Sequence, residues 1–154
     1  MIKSWPILTL LSVAFAGQSQ AANNPGGAGV AIATGTCSRL ITGADDYSAR
    51  CDSQMASVTA ADGTVTFIFS VGGTPIGFSG DGKQTKPGLG GAPRLPISFV
   101  AVGENASKGA LEADGSCTFG DPFKGPATVI CMAQTEKGPF LGVFKTDGTP
   151  PAKQ

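Results

Sequence analysis

Cysteine is the residue type whose number and spacing in this sequence point most directly to chemistry. The four cysteines form two sets, Cys37 with Cys51 and Cys117 with Cys131, and thirteen residues separate the members of each set. Four such residues can bind zinc or form two disulfides, and a free cysteine can act as a nucleophile. No C-x-x-C pair is present, which fits zinc poorly. We therefore predict two disulfides and no free thiol.

Turn residues between the cysteines predict which of the three possible connectivities forms. Gly43-Ala44-Asp45-Asp46 lies near the middle of the first stretch, and Gly120-Asp121-Pro122 and Gly125-Pro126 lie near the middle of the second. A chain that folds back at these turns brings the two cysteines of each stretch opposite one another. We expect the local disulfides Cys37–Cys51 and Cys117–Cys131.

Histidine is absent from the chain, which excludes Ser-His-Asp and Cys-His nucleophiles and any imidazole metal site. The glycine-rich Gly88-Leu89-Gly90-Gly91 lacks the Lys-Ser/Thr that follows in a phosphate-binding loop. Carboxylates leave one enzymatic route open, since a glycoside hydrolase needs two of them in a cleft. Most of the aspartates stand in turn sequences, however, which favours solvated carboxylates. We expect no cofactor and no metal, and we predict no catalytic residue.

A candidate binding segment runs from Gly80 to Arg94. It contains five glycines, two prolines and three cations, Lys83, Lys86 and Arg94. Long ordered loops in compact domains often carry binding sites. We expect these cations to meet an acidic protein surface or an anionic glycan. The alternative is a flexible linker between two halves of the domain.

Similarity between two parts of the chain predicts an internal duplication. Ala33-Thr34-Gly35-Thr36-Cys37 returns as Ala113-Asp114-Gly115-Ser116-Cys117, and Ile68-Phe69 returns as Val143-Phe144. The matches keep their order with a single change of spacing, which favours duplication over chance. The two copies would be residues 29–75 and 109–150, joined by a connecting segment, residues 76–108. Two copies are too few for a solenoid and suggest two halves with one core.

Alternating apolar residues predict strands throughout the copies. Thr64 to Val71 alternates, and Asp62-Gly63 before it predicts a hairpin with a strand over residues 54–60. Glu136-Lys137-Gly138 predicts the corresponding hairpin between residues 127–135 and 139–145.

Further strands are expected over residues 76–79 and 95–102, where Pro96 favours an edge position. No segment has a helical period. We predict one all-β domain over residues 29–150, a small disulfide-braced sandwich or barrel of about eight to nine short strands built from two sequence repeats. Residues 151–154 form a tail that we expect to fray.

Residues 1–21 have the pattern of a secretory signal peptide. Lys3 precedes an apolar run, Ile7 to Phe15, and Ser19-Gln20-Ala21 is a small-x-small cleavage site. The apolar run is shorter than the roughly 20 residues that span a bilayer, so we expect no transmembrane segment after cleavage. Residues 22–28 would form a flexible leader. We expect a periplasmic or secreted protein of bacterial type.

Charge excludes one class of partner. After removal of Lys3 from the eleven basic residues, ten remain against eleven acidic ones, without a basic run. Nucleic-acid binding depends on neutralising phosphates, so we expect no nucleic-acid partner. The favoured function is a non-catalytic exported binding module for an unknown protein or glycan. A structural envelope or surface component is the second hypothesis, and a carboxylate-dependent hydrolase is the third.

Overall fold

The computed structural model describes residues 28–104 and 106–154. The predicted signal peptide, residues 1–21, and the predicted leader up to residue 27 lie outside the described residues. In the described part of the chain the only α-helical segment is a single turn, Ala106–Gly109. The prediction of an all-β domain is confirmed.

Eight antiparallel strands, which follow one another around a closed barrel, form the body of the fold. They are β1 (Gly29–Thr42), β2 (Gln54–Thr59), β3 (Thr64–Val71), β4 (Thr74–Asp81), β5 (Pro93–Val102), β6 (Ala110–Phe119), β7 (Thr128–Thr135) and β8 (Gly138–Thr146).

Closure comes from the pairing of the first strand with the last. β1 pairs with β8 from Gly35 opposite Thr146 to Thr42 opposite Phe140, with a bulge between Cys37 and Arg39. A closed sheet has no exposed edge along these strands. Of the two predicted alternatives, a sandwich and a barrel, the structure is the barrel.

Three two-residue strands are added to the barrel. Asp45–Asp46 and Ala152–Lys153 pair with β1, and Lys86–Pro87 pairs with β5. The C-terminal tail was expected to fray, but Ala152 lies opposite Ile32 and Pro151 is buried. The tail is therefore packed on the barrel.

The predicted hairpins form close to the expected boundaries, and one detail differs. Pro96 lies in β5, an inner strand, and not at an edge. β4 pairs with β5 only from Phe99 to Val102, so the missing N–H of Pro96 removes no hydrogen bond between these two strands. The inner position is tolerated for that reason.

Both predicted disulfides are confirmed. Cys117 and Cys131 lie directly opposite each other on β6 and β7 and are fully buried in the barrel. Cys37 on β1 is half-buried and bonds to Cys51 just before β2.

The two bridges occupy equivalent places in the two strand pairs. In the first pair, Ala33 of β1, four residues before Cys37, lies opposite Met55 of β2, four residues after Cys51. In the second pair, Ala113 of β6, four residues before Cys117, lies opposite Thr135 of β7, four residues after Cys131. This shared register is what a duplicated unit would produce, and the duplication itself stays a prediction.

Large apolar side chains fill most of the barrel interior. The Phe69 ring from β3 extends to the opposite wall, where a Cβ added to Gly142 of β8 would lie 2.6 Å from it. The Phe69 and Phe78 rings meet edge to face, with centroids 5.6 Å apart. The largest fully buried side chains are Leu40, Phe69, Ile76, Phe78, Leu95, Val100 and Phe144.

Removal of the two disulfides should cost different free energies of unfolding. Both close loops with a sequence separation of 14, so the loss from chain entropy is the same, about 3 kcal/mol each. Cys117 and Cys131 have 0% exposure, so their sulfur atoms also leave a cavity that costs about 1 kcal/mol more. In urea unfolding, Cys117→Ala/Cys131→Ala should therefore lose more free energy of unfolding than Cys37→Ala/Cys51→Ala. Equal losses would show that the buried bridge adds nothing through packing.

Candidate functional site

A cavity of about 470 Å³ lies at one end of the barrel. At this open end lie the connections β2–β3, β4–β5 and β6–β7, together with the C-terminal segment, because the strands alternate in direction. The lining residues come from strands, loop and tail. They are Ala31, Ala33, Met55, Ser57, Thr59, Val65, Phe67, Pro93, Phe119, Gly120, Asp121, Pro122, Phe123, Val129, Thr146 and Pro151.

Small side chains on two neighbouring strands create this space. Ala31 and Ala33 of β1 and Ser57 of β2 line the cavity at inward positions, where phenylalanines fill the rest of the barrel. Eight strands enclose an interior just wide enough to be filled by side chains or to hold one small ligand. Here the small residues leave space for one small ligand at the open end.

The deep part of the cavity is apolar. Met55, Phe67 and Val129 are almost completely buried there. Phe67 packs against Phe119, with ring centroids 4.9 Å apart and planes tilted by 49°. A rigid aromatic and aliphatic surface of this kind binds apolar groups.

One side of the mouth is built by the β6–β7 loop and the tail. Phe123 in this loop is 45% exposed although it lines the cavity. The Lys153 ammonium lies 4.8 Å from the centroid of its ring, a cation–π contact. The tail thus holds the loop in place over the mouth.

Polar groups are few in the cavity. The Ser57 and Thr59 hydroxyls line it, and among the described residues neither forms a side-chain hydrogen bond. Thr146 Oγ1, in contrast, accepts a hydrogen bond of 2.8 Å from the Ala127 N–H. Two hydroxyls are therefore left to bind a ligand.

Among the described residues, Asp121 is the only charged one that lines the cavity. Its carboxylate accepts a hydrogen bond of 2.9 Å from the Phe123 N–H and lies 3.9 Å from the Lys124 ammonium. This carboxylate therefore already has partners at the rim.

The three cations predicted as a binding site lie at the same end but outside the cavity, and all are exposed. Lys86 and Arg94 are brought together as a cross-strand pair. Arg94 also donates a hydrogen bond of 3.0 Å from Nε to the Ser116 hydroxyl. Lys83 is separate from them, because it lies beside the β2–β3 turn at Gly63. The prediction that these cations bind a protein or a glycan stays a prediction.

The segment that carries these cations is more ordered than a plain loop. Gly80 belongs to β4 and Arg94 to β5. Between these strands are two short 3-10 turns, Gly82–Gln84 and Leu89–Gly91.

Four aspartates have a lowered pKa because they close turns. Hydrogen bonds from the Gly73 N–H, the Ser70 hydroxyl and the Gly72 N–H hold the pKa of Asp52 below its ordinary value. The amide bonds from Gly72 and Gly73 are each 3.0 Å long. The pKa values of Asp46, Asp62 and Asp147 are lowered in the same way, by bonds from nearby hydroxyls and amides.

These carboxylates stabilise turns, and their pKa shifts are opposite to the shift that a general acid needs. A general acid needs a raised pKa, whereas all four shifts are downward. Among the residues that the structure describes, no cluster of three or more His, Cys, Asp or Glu side chains could hold a metal ion.

Sequence reasoning missed the cavity because its essential residues are inconspicuous. Ala31, Ala33 and Ser57 are ordinary members of alternating segments. Their common signal is small size at inward positions on two adjacent strands, and it becomes visible only when the strand pairing is known.

No family model, no curated protein and no solved structure matches this chain. In the described part of the chain, none of the helices has the length and apolar content that crossing a bilayer requires. The geometry of the cavity is therefore the basis for assigning a function.

The aspartate turns should make the protein lose stability in acid. Unfolded aspartate has a pKa of about 3.9, and the folded values lie below it, so the stabilisation is complete above about pH 5 and is lost as the pH falls through the folded values. Asp52→Asn should flatten this dependence, because it removes one titrating carboxylate. Urea unfolding from pH 6 to pH 3 measures the effect. Asp45→Asn is the control, since the Asp45 carboxylate has no hydrogen bond with another described residue. Equal slopes for wild type and Asp52→Asn would contradict the interpretation.

Proposed function

We propose that the protein is an exported binding module that holds one small, uncharged, apolar molecule in the open end of its barrel. The observation that carries this assignment is the cavity of about 470 Å³ with its apolar floor. Ligand sites are typically clefts of about 300–1,000 Å³, lined mainly by apolar and aromatic side chains with a few polar groups. The cavity has this size and this composition.

The charge of the lining favours an uncharged ligand. A charge taken out of water without a partner costs several kcal/mol. Asp121, the one charged residue in the described lining, already interacts with the Phe123 N–H and with Lys124. A neutral molecule avoids this cost, whereas an ionic one would enter the deep part of the cavity uncompensated.

The two unpaired hydroxyls favour a ligand with one hydrogen-bonding group. Ser57 and Thr59 lie two residues apart on β2 and therefore point to the same side of the sheet. Beside them Phe67 and Phe119 offer an aromatic surface. A ring or short chain with one carbonyl or hydroxyl group would satisfy both features.

Export is supported by the disulfides and by the predicted signal peptide. Disulfides persist in oxidising compartments such as the periplasm and the extracellular space. With both bridges formed, the described residues contain no free cysteine. We place the protein in the periplasm or outside the cell, where it would bind a small molecule without transforming it.

Filling the cavity should weaken the binding of a neutral apolar probe. In Ala31→Phe a bulky ring enters the space between β1 and the β6–β7 loop, so the affinity for N-phenyl-1-naphthylamine should fall at least tenfold. Fluorescence titration of the oxidised mature protein measures the affinity. Ala44→Phe makes the same substitution at an exposed turn on the opposite end of the barrel and should leave the affinity unchanged.

An anionic probe of similar shape tests the ligand class separately. 8-Anilinonaphthalene-1-sulfonate should bind more weakly than the neutral amine, because the described residues that line the cavity include no Lys or Arg to pair with its sulfonate. Failure of the neutral probe to bind the wild-type protein, or equal binding by Ala31→Phe, would contradict the assignment.

A further inference from the structure

An apolar surface lies on the outside of the barrel, away from the cavity. Ile130 and Met132 of β7 are 40% and 57% exposed. Across the strand pair, Ile130 lies opposite Val143 and Met132 lies opposite Leu141. Ile41 of β1 continues the second row, since it lies opposite Leu141. We call these five residues on three adjacent strands the outer apolar face.

This face is not part of the barrel core. Its members on β7 and β8 alternate with inward residues such as Cys131 and Phe144, which are fully buried. The exposed surface of Ile130 and Met132 is covered by no described residue. A contiguous outward surface of large apolar side chains marks an interaction site more often than scattered exposed residues do.

Two opposite charges stand at diagonal corners of this face. Lys145 follows Val143 on β8, towards the open end. Gln134 is the next residue after Met132 that points outward on β7, and it lies nearer the closed end of the barrel. Asp114 of β6 lies opposite Gln134. Lys145 and Asp114 are both exposed. The only ion pair among the described residues is Lys124 with Asp121, so neither corner charge forms an ion pair with any of them.

We propose that the outer apolar face binds a second copy of this chain and forms a two-fold symmetric dimer. The two-fold axis lies between the two faces and is perpendicular to the line from Lys145 to Asp114, so it crosses the strands obliquely. Lys145 of each copy then lies over Asp114 of the other copy, at both corners at once. The same face serves on both copies, as a self-complementary interface requires.

Charge complementarity selects this partner and this orientation. An axis along the strands would instead place the two Lys145 residues at the same end of the interface, and the two Asp114 residues together at the other end. Like charges brought together at an interface cost several kcal/mol. The oblique axis avoids this repulsion and pairs Lys145 with Asp114 at both corners.

Sedimentation equilibrium of the oxidised mature protein should show a monomer–dimer equilibrium. Met132→Glu should weaken the dimer at least tenfold, because it places a carboxylate in the centre of the face. Leu89→Glu is the matched control, since Leu89 is 99% exposed and lies on a 3-10 turn outside the face. It should leave the association unchanged. Circular dichroism and probe binding of Met132→Glu should match wild type, because its side chain does not contact the cavity.

Charge reversal tests the orientation. Lys145→Glu and Asp114→Lys should each dimerise at least tenfold more weakly than wild type, since each creates two like-charged pairs. An equal mixture of the two variants should recover wild-type affinity, because both pairs in the mixed dimer again have opposite charges. A wild-type protein that stays monomeric, or a mixture that does not recover, would overturn this dimer.

Discussion

Pairing of the first strand with the last is the constraint on which the rest of this structure depends. The two strands approach closely at Gly35, where any Cβ would collide with the carbonyl oxygen of Lys145. Closure with eight strands fixes the width of the interior. Side-chain size then decides what the interior contains. Phenylalanines such as Phe69 fill most of it, whereas Ala31 and Ala33 leave the cavity at the open end.

The covalent and polar contacts around the barrel keep the cavity in shape. The buried Cys117–Cys131 bridge ties β6 to β7, and these strands lead directly into the loop that carries Phe123. The tail pairs with β1 and holds the same loop through Lys153. A mouth fixed before the ligand arrives reduces the entropy lost on binding. The aspartate turns, such as Asp52 with the Gly72 and Gly73 amides, give several of the described carboxylates a structural role.

Local signals in the sequence predicted local structure well. The turns between the cysteines predicted both disulfides, and Asp62-Gly63 predicted the β2–β3 hairpin. Closure of β1 on β8 joins residues more than one hundred positions apart, and no local pattern distinguishes it from a sandwich. The cavity depends on that closure, so the sequence could not predict it. The segment from Gly80 to Arg94 was predicted as a site from its composition, and the structure places it at the open end with its cations outside the cavity.

The two methionines of the described residues offer the most direct measurement of the central claim, that a small neutral molecule binds inside the barrel. Met55 lines the cavity, and Met132 lies on the outer face. Methyl NMR of protein labelled with ¹³C at the methionine methyl groups would report both positions in one spectrum during titration with N-phenyl-1-naphthylamine. We predict that the Met55 signal shifts in a saturable manner while the Met132 signal stays in place. A shift confined to Met132, or no shift at all, would contradict binding in the cavity.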